Sequence, residues 1–506
     1  MGVQQACALV QDSQLIGYVS PSGVDTQGLM AFAKSQLPHY TVPAAIVPLD
    51  ALPLTPIGKI DHKALPKHTF ALQSIDASTI PRTPMEDCLI HLLAQVLHIT
   101  PEIVSPQNTF FEVGGDSLSA IRLVTLCHRR GLHLAMVDIS RSNTIAQLAT
   151  LIEANEAPMP TMDLYPTLSG PVQLTPIQHE FFSMNLQWPQ AFQSPMLLEC
   201  ASVHTKAKWS RIIDQVIAYH DMLRFHIPAQ ASGHPSHGII ESMLALDSAF
   251  QFVDAASESE LHAIVAEACA RIDYHQGPIC QFRVINLGQR QYLFFVAHHL
   301  VTDIVTLSIV AGDLELLLCD QPLPAKTMSY QAWSNQLQAM ADTLDVSTIV
   351  LPDLVPSLPL DYPGVPLNRT KEHAQTELVT IDGQQLQQLN QFAKQSGTAL
   401  VELLMAAFVW AYEQCFQQSK ITMLFESHGR QIPGHDCDVT HTLGWFVGHH
   451  YLTLTKEQPH SPSDVLAHTQ ALMRDLPING FNLFLAKHLK CFDTLDEYAP
   501  FDIWPQ

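Results

Sequence analysis

The sequence predicts a multidomain protein in which a small α+β segment is followed by a four-helix-type bundle and a larger α/β domain. Its 506 residues suggest about three domains at roughly 100–200 residues each. Stretches without sustained periodicity, ending in or rich in proline, separate the parts at 68–84 and 154–171. Hydrophobic residues make up 47% of the chain and charged residues only 15%, below the ~25% of ordinary soluble domains, so several cores can form.

The composition excludes several classes of partner. Lys and Arg number 26 against 48 Asp and Glu, a formal charge of −22 at pH 7, which argues against binding a nucleic-acid backbone. The longest apolar stretch, 403–412, is far shorter than the ~18 residues of a spanning helix. Ten scattered cysteines without a C-x-x-C pair are typical of a reducing compartment. We therefore expect a cytoplasmic protein with no nucleic-acid and no membrane partner.

In the first segment, residues 1–67, six prolines crowd the stretch 38–66, and this stretch is therefore predicted to contain only short strands and turns. Lys59 stands in Leu-Pro-Leu-Thr-Pro-Ile-Gly-Lys-Ile-Asp, and a cation on a loop suits a phosphate or acyl-phosphate group. This stretch resembles the end of the adenylation domain's C-terminal subdomain, in which Lys59 would be the motif lysine. A glycine-rich phosphate loop and a nucleotide-binding body do not precede it. We therefore expect an adenylation remnant that cannot activate an amino acid alone.

The second part, residues 82–155, is predicted to be a helical bundle. Apolar residues follow the spacing of one helix face over 85–97. A second helix is expected to begin at Ser117 and to stop at Gly131, and a third is expected over 144–154. Three short amphipathic helices of this kind can share one small core.

The turn before the second helix is the first site that could carry chemistry. Gly114 and Gly115 give an open turn and Asp116 can cap the helix, which puts Ser117 where unpaired N–H groups and the helix dipole favour an anion. These four residues alone would be only a helix cap. With the preceding Phe-Phe pair and the helical frame, however, the module resembles the peptidyl carrier domains of nonribosomal peptide synthetases. The resemblance implies a covalent 4′-phosphopantetheine on Ser117.

The carrier resemblance also implies partners. A phosphopantetheinyl transferase would modify Ser117, and adenylation activity upstream would load the arm. A condensation domain would act downstream, in the same chain or in another. Asp116, where histidine is common, is associated with carriers that precede epimerization domains.

The third part, residues 168–506, is predicted to be an α/β domain. Apolar runs of strand length at 291–297 and 421–425 are separated by a buried helix within 301–318. The first run ends in His298 and His299, and a strand with this ending delivers one imidazole to a cleft and the other to the scaffold. Imidazole is the side chain best matched to proton transfer near neutral pH.

Ordered motifs connect these histidines to a family. Residues 171–182 and 220–225 resemble, in order and spacing, the opening motifs of the condensation superfamily, whose centre carries His-His-x-x-x-Asp. The resemblance implies a chloramphenicol-acetyltransferase-like α/β fold. It also implies that His299 is catalytic, that His298 is structural, and that Asp303 is a scaffold residue in an ion pair.

The superfamily contains both amide-forming condensation domains and epimerization domains. Inverting an α-carbon requires a base on one face and an acid on the other, and Glu426 is the candidate second group, as a desolvated carboxylate at a strand end. It opens Glu-Ser-His-Gly-Arg, which resembles the Glu-Gly-His-Gly-Arg signature of epimerization domains; 438–446 and 474–480 also resemble epimerization segments. We predict that Glu426 and His299 exchange the α-proton of an aminoacyl or peptidyl thioester on Ser117, from L to D. A salt bridge to Arg430 is the structural alternative for Glu426.

The sequence also departs from the family. Ile304 and Ser427 stand where glycine is usual, 449–451 do not match, and the expected final strand does not follow Leu489, so a shortened C-terminal domain is expected. Two other functions stay open: a condensation domain that forms an amide bond, and a non-catalytic carrier and docking fragment with a decayed epimerase. The dense histidines of 428–450 lack the paired spacing of zinc ligands, so we expect no metal site.

Overall fold

The structure is a computed structural model. It describes residues 3–11, 14–26, 28–29, 45–53, 65–66, 82–97, 99–110, 113–115, 117–130, 132, 134, 138–139, 142, 144–154, 168–229, 235–349, 375, 377–396, 398–416, 420–430, 437–455 and 461–490. Among these residues, none of the helices combines the length and the apolar character needed to span a bilayer.

The described helices are, in chain order, α1 (Pro84–Leu97), α2 (Ser117–Arg129), α3 (Ile145–Ala154), α4 (Pro176–Ser183), α5 (Lys206–Tyr219), α6 (Leu246–Ala249), α7 (Glu258–Ala270), α8 (Ile304–Leu318), α9 (Tyr330–Thr343), α10 (Gly383–Gln395), α11 (Leu400–Phe416) and α12 (Pro462–Leu489). The strands are β1 (Gln5–Gln11), β2 (Gln14–Ser20), β3 (Ala45–Pro48), β4 (Gly170–Gln173), β5 (Gln193–Glu199), β6 (Phe225–His226), β7 (His237–Ile240), β8 (Phe250–Ala255), β9 (Cys280–Leu287), β10 (Arg290–His298), β11 (Lys420–Ser427) and β12 (Gly448–Thr455).

One compact unit comprises 1–81, 377–412 and 460–470. Its strands form a sheet in the order β1-β2-β3, in which β1 and β2 are antiparallel and β2 and β3 are parallel. Tyr18 is fully buried in this small core, and its hydroxyl donates to the carbonyl of Pro66 at 2.7 Å. Of the described strands in this segment, only β3 lies within the proline-crowded stretch 38–66, and its four residues fit the prediction of short strands there.

The second unit comprises 82–376, 413–459 and 471–506. Its first helices, α1 to α3, enclose a core of their own, which includes the fully or almost fully buried Leu93, Leu123 and Ile152. The three predicted helices are confirmed, because their apolar residues fall on one face and leave the opposite face polar. The bundle is thus a separately packed module.

The larger domain is built around a four-stranded sheet in the order β5-β10-β9-β8. β10 is antiparallel to both β5 and β9, and β8 runs parallel to β9. Phe295 and Val296 of β10 have no exposed surface; Phe295 packs in one core with the fully buried Val310 of α8, and Val296 packs in a second hydrophobic cluster. The near-continuous apolar run that predicts β10 therefore reflects a strand in the interior of the sheet.

The C-terminal end of strand β10 positions the histidine motif. β10 ends at His298, a 3₁₀ turn occupies 299–301, and α8 begins at Ile304. Asp303 caps α8, because its side chain accepts a hydrogen bond from the Thr306 backbone N–H at 2.7 Å. The end of β10 and the start of α8 thereby hold His298, His299 and Asp303 in or beside one short turn.

A two-stranded ribbon carries the second group of predicted site residues. β11 and β12 pair antiparallel, with Glu426 opposite His449 and Ser427 opposite Gly448. This register brings two segments that are 23 residues apart in sequence into direct contact at one end of the ribbon.

Candidate functional site

His298 faces the scaffold. Its ring is fully buried; Nε2 lies 2.9 Å from the carbonyl of Pro189, and Nδ1 accepts from the Leu300 N–H at 3.1 Å. Nε2 therefore carries the proton, and both nitrogens are occupied. Burial lowers the pKa of His298 to about 4, so the imidazole is neutral.

His299 points the other way and lies between two aromatic rings. Its ring centroid is 4.9 Å from that of Phe192, nearly parallel, and 4.7 Å from that of Trp445. Its buried Nδ1 has no hydrogen-bond partner among the described residues. Burial lowers the pKa of His299, and the Asp303 and Glu426 carboxylates oppose this effect. The arrangement gives a neutral imidazole that is held between two rings and has one nitrogen, Nδ1, that is unpaired within the described part of the chain.

Asp303 and Arg430 form a buried ion pair. Nη2 of Arg430 donates to both carboxylate oxygens of Asp303, at 3.1 and 3.2 Å, and both side chains are at most 3% exposed. Nη1 of Arg430 donates to the carbonyls of Val439 and Thr442, and the guanidinium lies over the ring of Phe446 at 4.0 Å. Asp303 is thus a scaffold group, as the sequence predicts, and ties the histidine motif to the 438–446 segment.

Glu426 stands at the end of β11, but its surroundings differ from the expectation. Its side chain is 48% exposed, so it is not the desolvated carboxylate that the apolar strand suggested. The alternative of a salt bridge between Glu426 and Arg430 is also not found, because Arg430 points to Asp303. The strand alternates its side chains between two faces, which places Glu426 beside His449 on the neighbouring strand.

His449 joins Glu426 to a third group. Its Nε2 lies 3.3 Å from Oε1 of Glu426, and its Nδ1 lies 2.5 Å from Oε2 of Glu180 on α4. Burial would lower the pKa of His449, but the two hydrogen-bonded carboxylates raise it to about 9. Burial would likewise raise the pKa of Glu180, and the hydrogen bond and charge of His449 lower it. The three groups therefore form an imidazolium between two carboxylates.

The carrier turn fits an attached phosphodiester. Gly114 has φ of 99°, which a side chain would strain, and a Cβ on Gly115 would lie 2.3 Å from the ring of Phe110. Both glycines are therefore required by the turn, and α2 begins directly at Ser117. The N-terminal end of a helix favours an anion, and the attachment of phosphopantetheine to Ser117 stays the prediction for this turn.

Three ligand-type groups meet elsewhere in the same unit. His220 and His441 both direct Nε2 at the buried carboxylate of Asp313, at 2.7 Å and 3.0 Å. The ligand atoms lie within 4.8 Å of one another, so this is the set in the described residues that could hold a divalent cation. The two hydrogen bonds already satisfy the carboxylate, and the absence of a metal stays a prediction.

The structure brings together His298, His299, Asp303 and Glu426 in one region. Lys59 and Asp116 lie outside the described residues. Sequence reasoning missed Glu180 and His449, although each had a signal. Glu180 stands within the first superfamily motif, and His449 begins the segment that departs from the family pattern. The sequence does not reveal that Glu180 and His449 are in contact, because they lie 269 positions apart.

Comparison with protein families identifies both folded parts. The family model described as "Condensation domain" matches residues 169–483, more than half of the chain. The model described as "Phosphopantetheine attachment site" matches residues 88–152. A domain of this second kind carries covalently attached 4′-phosphopantetheine, and this chain contains one such domain. Neither model extends into the first segment.

The chain is also similar to parts of large synthetases. Tyrocidine synthase 1 of Brevibacillus parabrevis is 28% identical to it over a 519-residue alignment that covers 96% of this chain. Tyrocidine synthase 2 of the same bacterium is 26% identical over a 489-residue alignment that covers 93% of this chain. Chondramide synthase of Chondromyces crocatus is 29% identical over a 455-residue alignment that covers 85% of this chain. The chain spans only 46%, 13% and 11% of these three relatives, respectively.

Solved structures support the fold. The epimerization domain from the third module of tyrocidine synthetase B matches with a TM-score of 0.57 and 24% identity, over 64% of this chain and 77% of that one. The X-domain from teicoplanin biosynthesis matches with a TM-score of 0.51 and 14% identity, over 62% and 73%. The larger domain thus has the predicted chloramphenicol-acetyltransferase-like fold of condensation domains. The chain belongs to the condensation-domain family, with a phosphopantetheine carrier domain ahead of the condensation-type domain as in nonribosomal peptide synthetases.

Proposed function

We propose that the domain formed by residues 168–506 inverts the α-carbon of an aminoacyl or peptidyl group that the carrier domain, residues 82–155, holds on Ser117. The observation that carries the proposal is the placement of two ionisable groups, His299 in the turn directly after β10 and Glu426 at the end of β11, and the charge of Glu426 opposes the effect of burial on the pKa of His299. Inversion of a stereocentre needs two such groups, one for each face of the substrate.

The carrier domain supplies the substrate. The phosphopantetheine arm, when attached to Ser117, presents the substrate as a thioester, whose carbonyl acidifies the neighbouring α-proton. The helix that begins at Ser117, α2, lies against α8, the helix that follows the histidine motif. This contact favours delivery of the substrate within the same chain.

His299 is the proposed base. An imidazole whose pKa is lowered by burial is unprotonated at neutral pH and can accept a proton. The rings of Phe192 and Trp445 restrict its rotation and exclude water from the two faces that they cover. The α-proton would pass to a ring nitrogen of His299, and the resulting cation would be stabilised by the nearby carboxylates of Asp303 and Glu426.

Glu426 is the proposed acid on the opposite face. Its half-exposed side chain can meet a substrate that enters from outside, whereas the buried carboxylate of Asp303 is occupied by Arg430. Glu426 gives a proton to one face of the α-carbon as His299 takes one from the other, so that the α-carbon loses one proton and gains another.

The first segment, residues 1–67, is proposed to correspond to the end of an adenylation domain's C-terminal subdomain, in which Lys59 is the motif lysine. The described part of this segment holds one small sheet. A phosphopantetheinyl transferase, an upstream adenylation activity and a downstream condensation domain, in the same chain or in another, are the proposed partners.

The test is α-proton exchange on the loaded carrier. Ser117 is modified with a phosphopantetheinyl transferase, an L-aminoacyl group is loaded, and deuterium uptake and chirality are followed in D₂O. We expect uptake with formation of the D-residue, and a loss of about 100-fold or more in His299→Ala and in Glu426→Gln, as for removal of a general acid or base.

Matched controls come from α7, where His262 and Glu258 are exposed. His262→Ala and Glu258→Gln should leave the exchange unchanged, and Ser117→Ala should prevent loading. A loaded, folded protein without exchange would refute epimerization and favour a non-catalytic fragment. Amide formation with an added acceptor amine, without exchange, would instead assign the condensation reaction.

A further inference from the structure

A buried histidine lies directly behind the proposed acid. His449 is 3% exposed and Glu180 is 8% exposed, so their contact is shielded from water, whereas Glu426 on the other side of the imidazole is 48% exposed. The order Glu180, His449, Glu426 therefore runs from the interior of the domain to its surface. Each ring nitrogen of His449 has a carboxylate oxygen within 3.3 Å.

Separate elements fix this arrangement. The β11–β12 register sets Glu426 opposite His449, and α4 brings in Glu180. α4 itself is anchored to the histidine motif, because Nε2 of Gln178 donates to the carbonyl of Leu300 at 2.8 Å. The helix that holds Glu180 is thus tied to the turn that holds His299.

The surrounding charges favour a protonated His449. The titratable groups that act on His449 or on Glu180 are Glu180, Glu426, Lys487 and His488, and His179 acts in turn on His488. Burial lowers the pKa of His488 to about 3, so His488 stays neutral. Lys487 helps to keep Glu180 ionised. Two carboxylates therefore face one imidazolium, and the cluster carries a net charge of about −1 before Lys487 is counted.

We propose that His449 is a positioning residue that holds Glu426 in place and delivers the proton which Glu426 donates to the substrate. The inference rests on the proposed epimerization, because it explains how Glu426 becomes an acid while His299 acts as the base. A half-exposed carboxylate at neutral pH needs a neighbouring donor, and Nε2 of His449, 3.3 Å from Oε1 of Glu426, is close enough to supply one.

The proton balance is as follows. The α-carbon C–H bond breaks, its electron pair stays on the substrate beside the thioester carbonyl, and the proton passes to His299. The proton on Nε2 of His449 passes to Glu426, and Glu426 gives it to the opposite face of the α-carbon, where the new C–H bond forms. His449 then regains a proton from water and His299 releases one to water, so no proton is consumed overall.

The neighbouring departure from the family supports the same assignment. Ser427, which stands where the epimerization signature has glycine, lies 2.8 Å through its hydroxyl from Nε2 of His450. The two departures, Ser427 and the pair at 449–450, therefore contact each other across the ribbon. Together these residues give Glu426 a set of neighbours that differs from the family pattern.

The first experiment measures the charge of His449 without requiring any activity. Imidazole ¹⁵N NMR of the full-length protein should show His449 titrating near pH 9 in the wild type, and about one unit or more lower in Glu180→Gln, because an opposite charge at contact distance shifts a pKa by ~1–3 units. Glu258→Gln is the matched control and should leave the titration unchanged. A His449 that titrates below pH 6.5, or that ignores Glu180→Gln, would overturn the proposal.

The second experiment measures the pH profile of α-deuterium exchange. The rate should fall as His449 loses its proton near pH 9, and this alkaline limb should move to lower pH in Glu180→Gln while the plateau rate is kept within a few fold. His449→Gln keeps a hydrogen-bond donor but no titratable proton, and it should lower exchange by about 100-fold. Absence of exchange in the wild type refutes the epimerization itself. Exchange with an unmoved alkaline limb in Glu180→Gln refutes only the role of His449.

Discussion

Removal of either partner of the Asp303–Arg430 ion pair is expected to destabilise the larger domain by about 3–5 kcal/mol, because each single change leaves an uncompensated buried charge. Asp303→Asn preserves the volume and can still cap α8 through Thr306, but it removes the charge opposite the guanidinium. Arg430→Met preserves much of the side-chain packing on Phe446. Both side chains are at most 3% exposed, so water cannot replace the lost partner.

The double variant separates the ion pair from packing. When both charges are removed, neither Asp303 nor Arg430 is left unpaired, and the cost should fall well below the total of the two single changes. We expect a coupling free energy of about 2 kcal/mol, within the ~0.5–3 kcal/mol range for contacting groups. Arg271→Met is a control, because its contact with Glu267 is roughly half exposed and such pairs contribute ~0–1 kcal/mol.

The assay is urea unfolding followed by tryptophan fluorescence. Trp445 packs on His299, and Trp333 packs on Phe446 at 5.6 Å between ring centroids, so the signal reports on the region of the ion pair. The midpoint and slope give the change in unfolding free energy. Single variants that cost less than about 1 kcal/mol, or that are additive within ~0.5 kcal/mol, would refute the claim that this pair couples the histidine motif to the 438–446 segment.

Two further predictions use glycine geometry and pH. Gly429 has φ of 62° and a Cβ there would lie 1.6 Å from the carbonyl oxygen of Phe446, whereas Gly288 has the same φ with open space around it. Gly288→Ala should cost only the ~1–2 kcal/mol of left-handed strain, and Gly429→Ala should lower the urea midpoint much more. Equal urea midpoints for the two variants would contradict the predicted clash. Because the pKa of His449 is raised from 6.5 to about 9, its contribution of about 3 kcal/mol should be complete below pH 6.5 and lost as the pH rises through 9. Urea midpoints at pH 7 and pH 9.5 should therefore differ less in Glu180→Gln than in the wild type.

Local sequence patterns were sufficient for the elements that carry the site. The apolar period over 85–97 predicted α1, since one face of a 3.6-residue helix must be buried. The apolar run 291–297 predicted β10, and the two histidines that follow it, His298 and His299, were predicted to stand at the end of that strand. The pair Gly114 and Gly115 predicted the turn before α2, because both positions need a residue without a side chain. These features depend on neighbours in sequence, which the sequence displays directly.

Pairings over long distances were not accessible in this way. Asp303 was predicted to sit in an ion pair, yet its partner was not identified, since Arg430 lies 127 positions away and had been considered for Glu426. The exposure of Glu426 was misjudged for a related reason. An apolar strand indicates burial along its length, whereas the exposure of its last residue depends on what packs over the strand end.

The sequence by itself determined the kinds of domain, the order of the motifs and the chemical groups at the site, because motif and period are properties of short segments. Only the tertiary structure decided the partners of those groups: which histidine is occupied at both nitrogens, which carboxylate neutralises Arg430, and that His449 lies between Glu180 and Glu426. Those outcomes follow from strand register, helix packing and burial, which set hydrogen bonds and charge states between residues far apart in the chain.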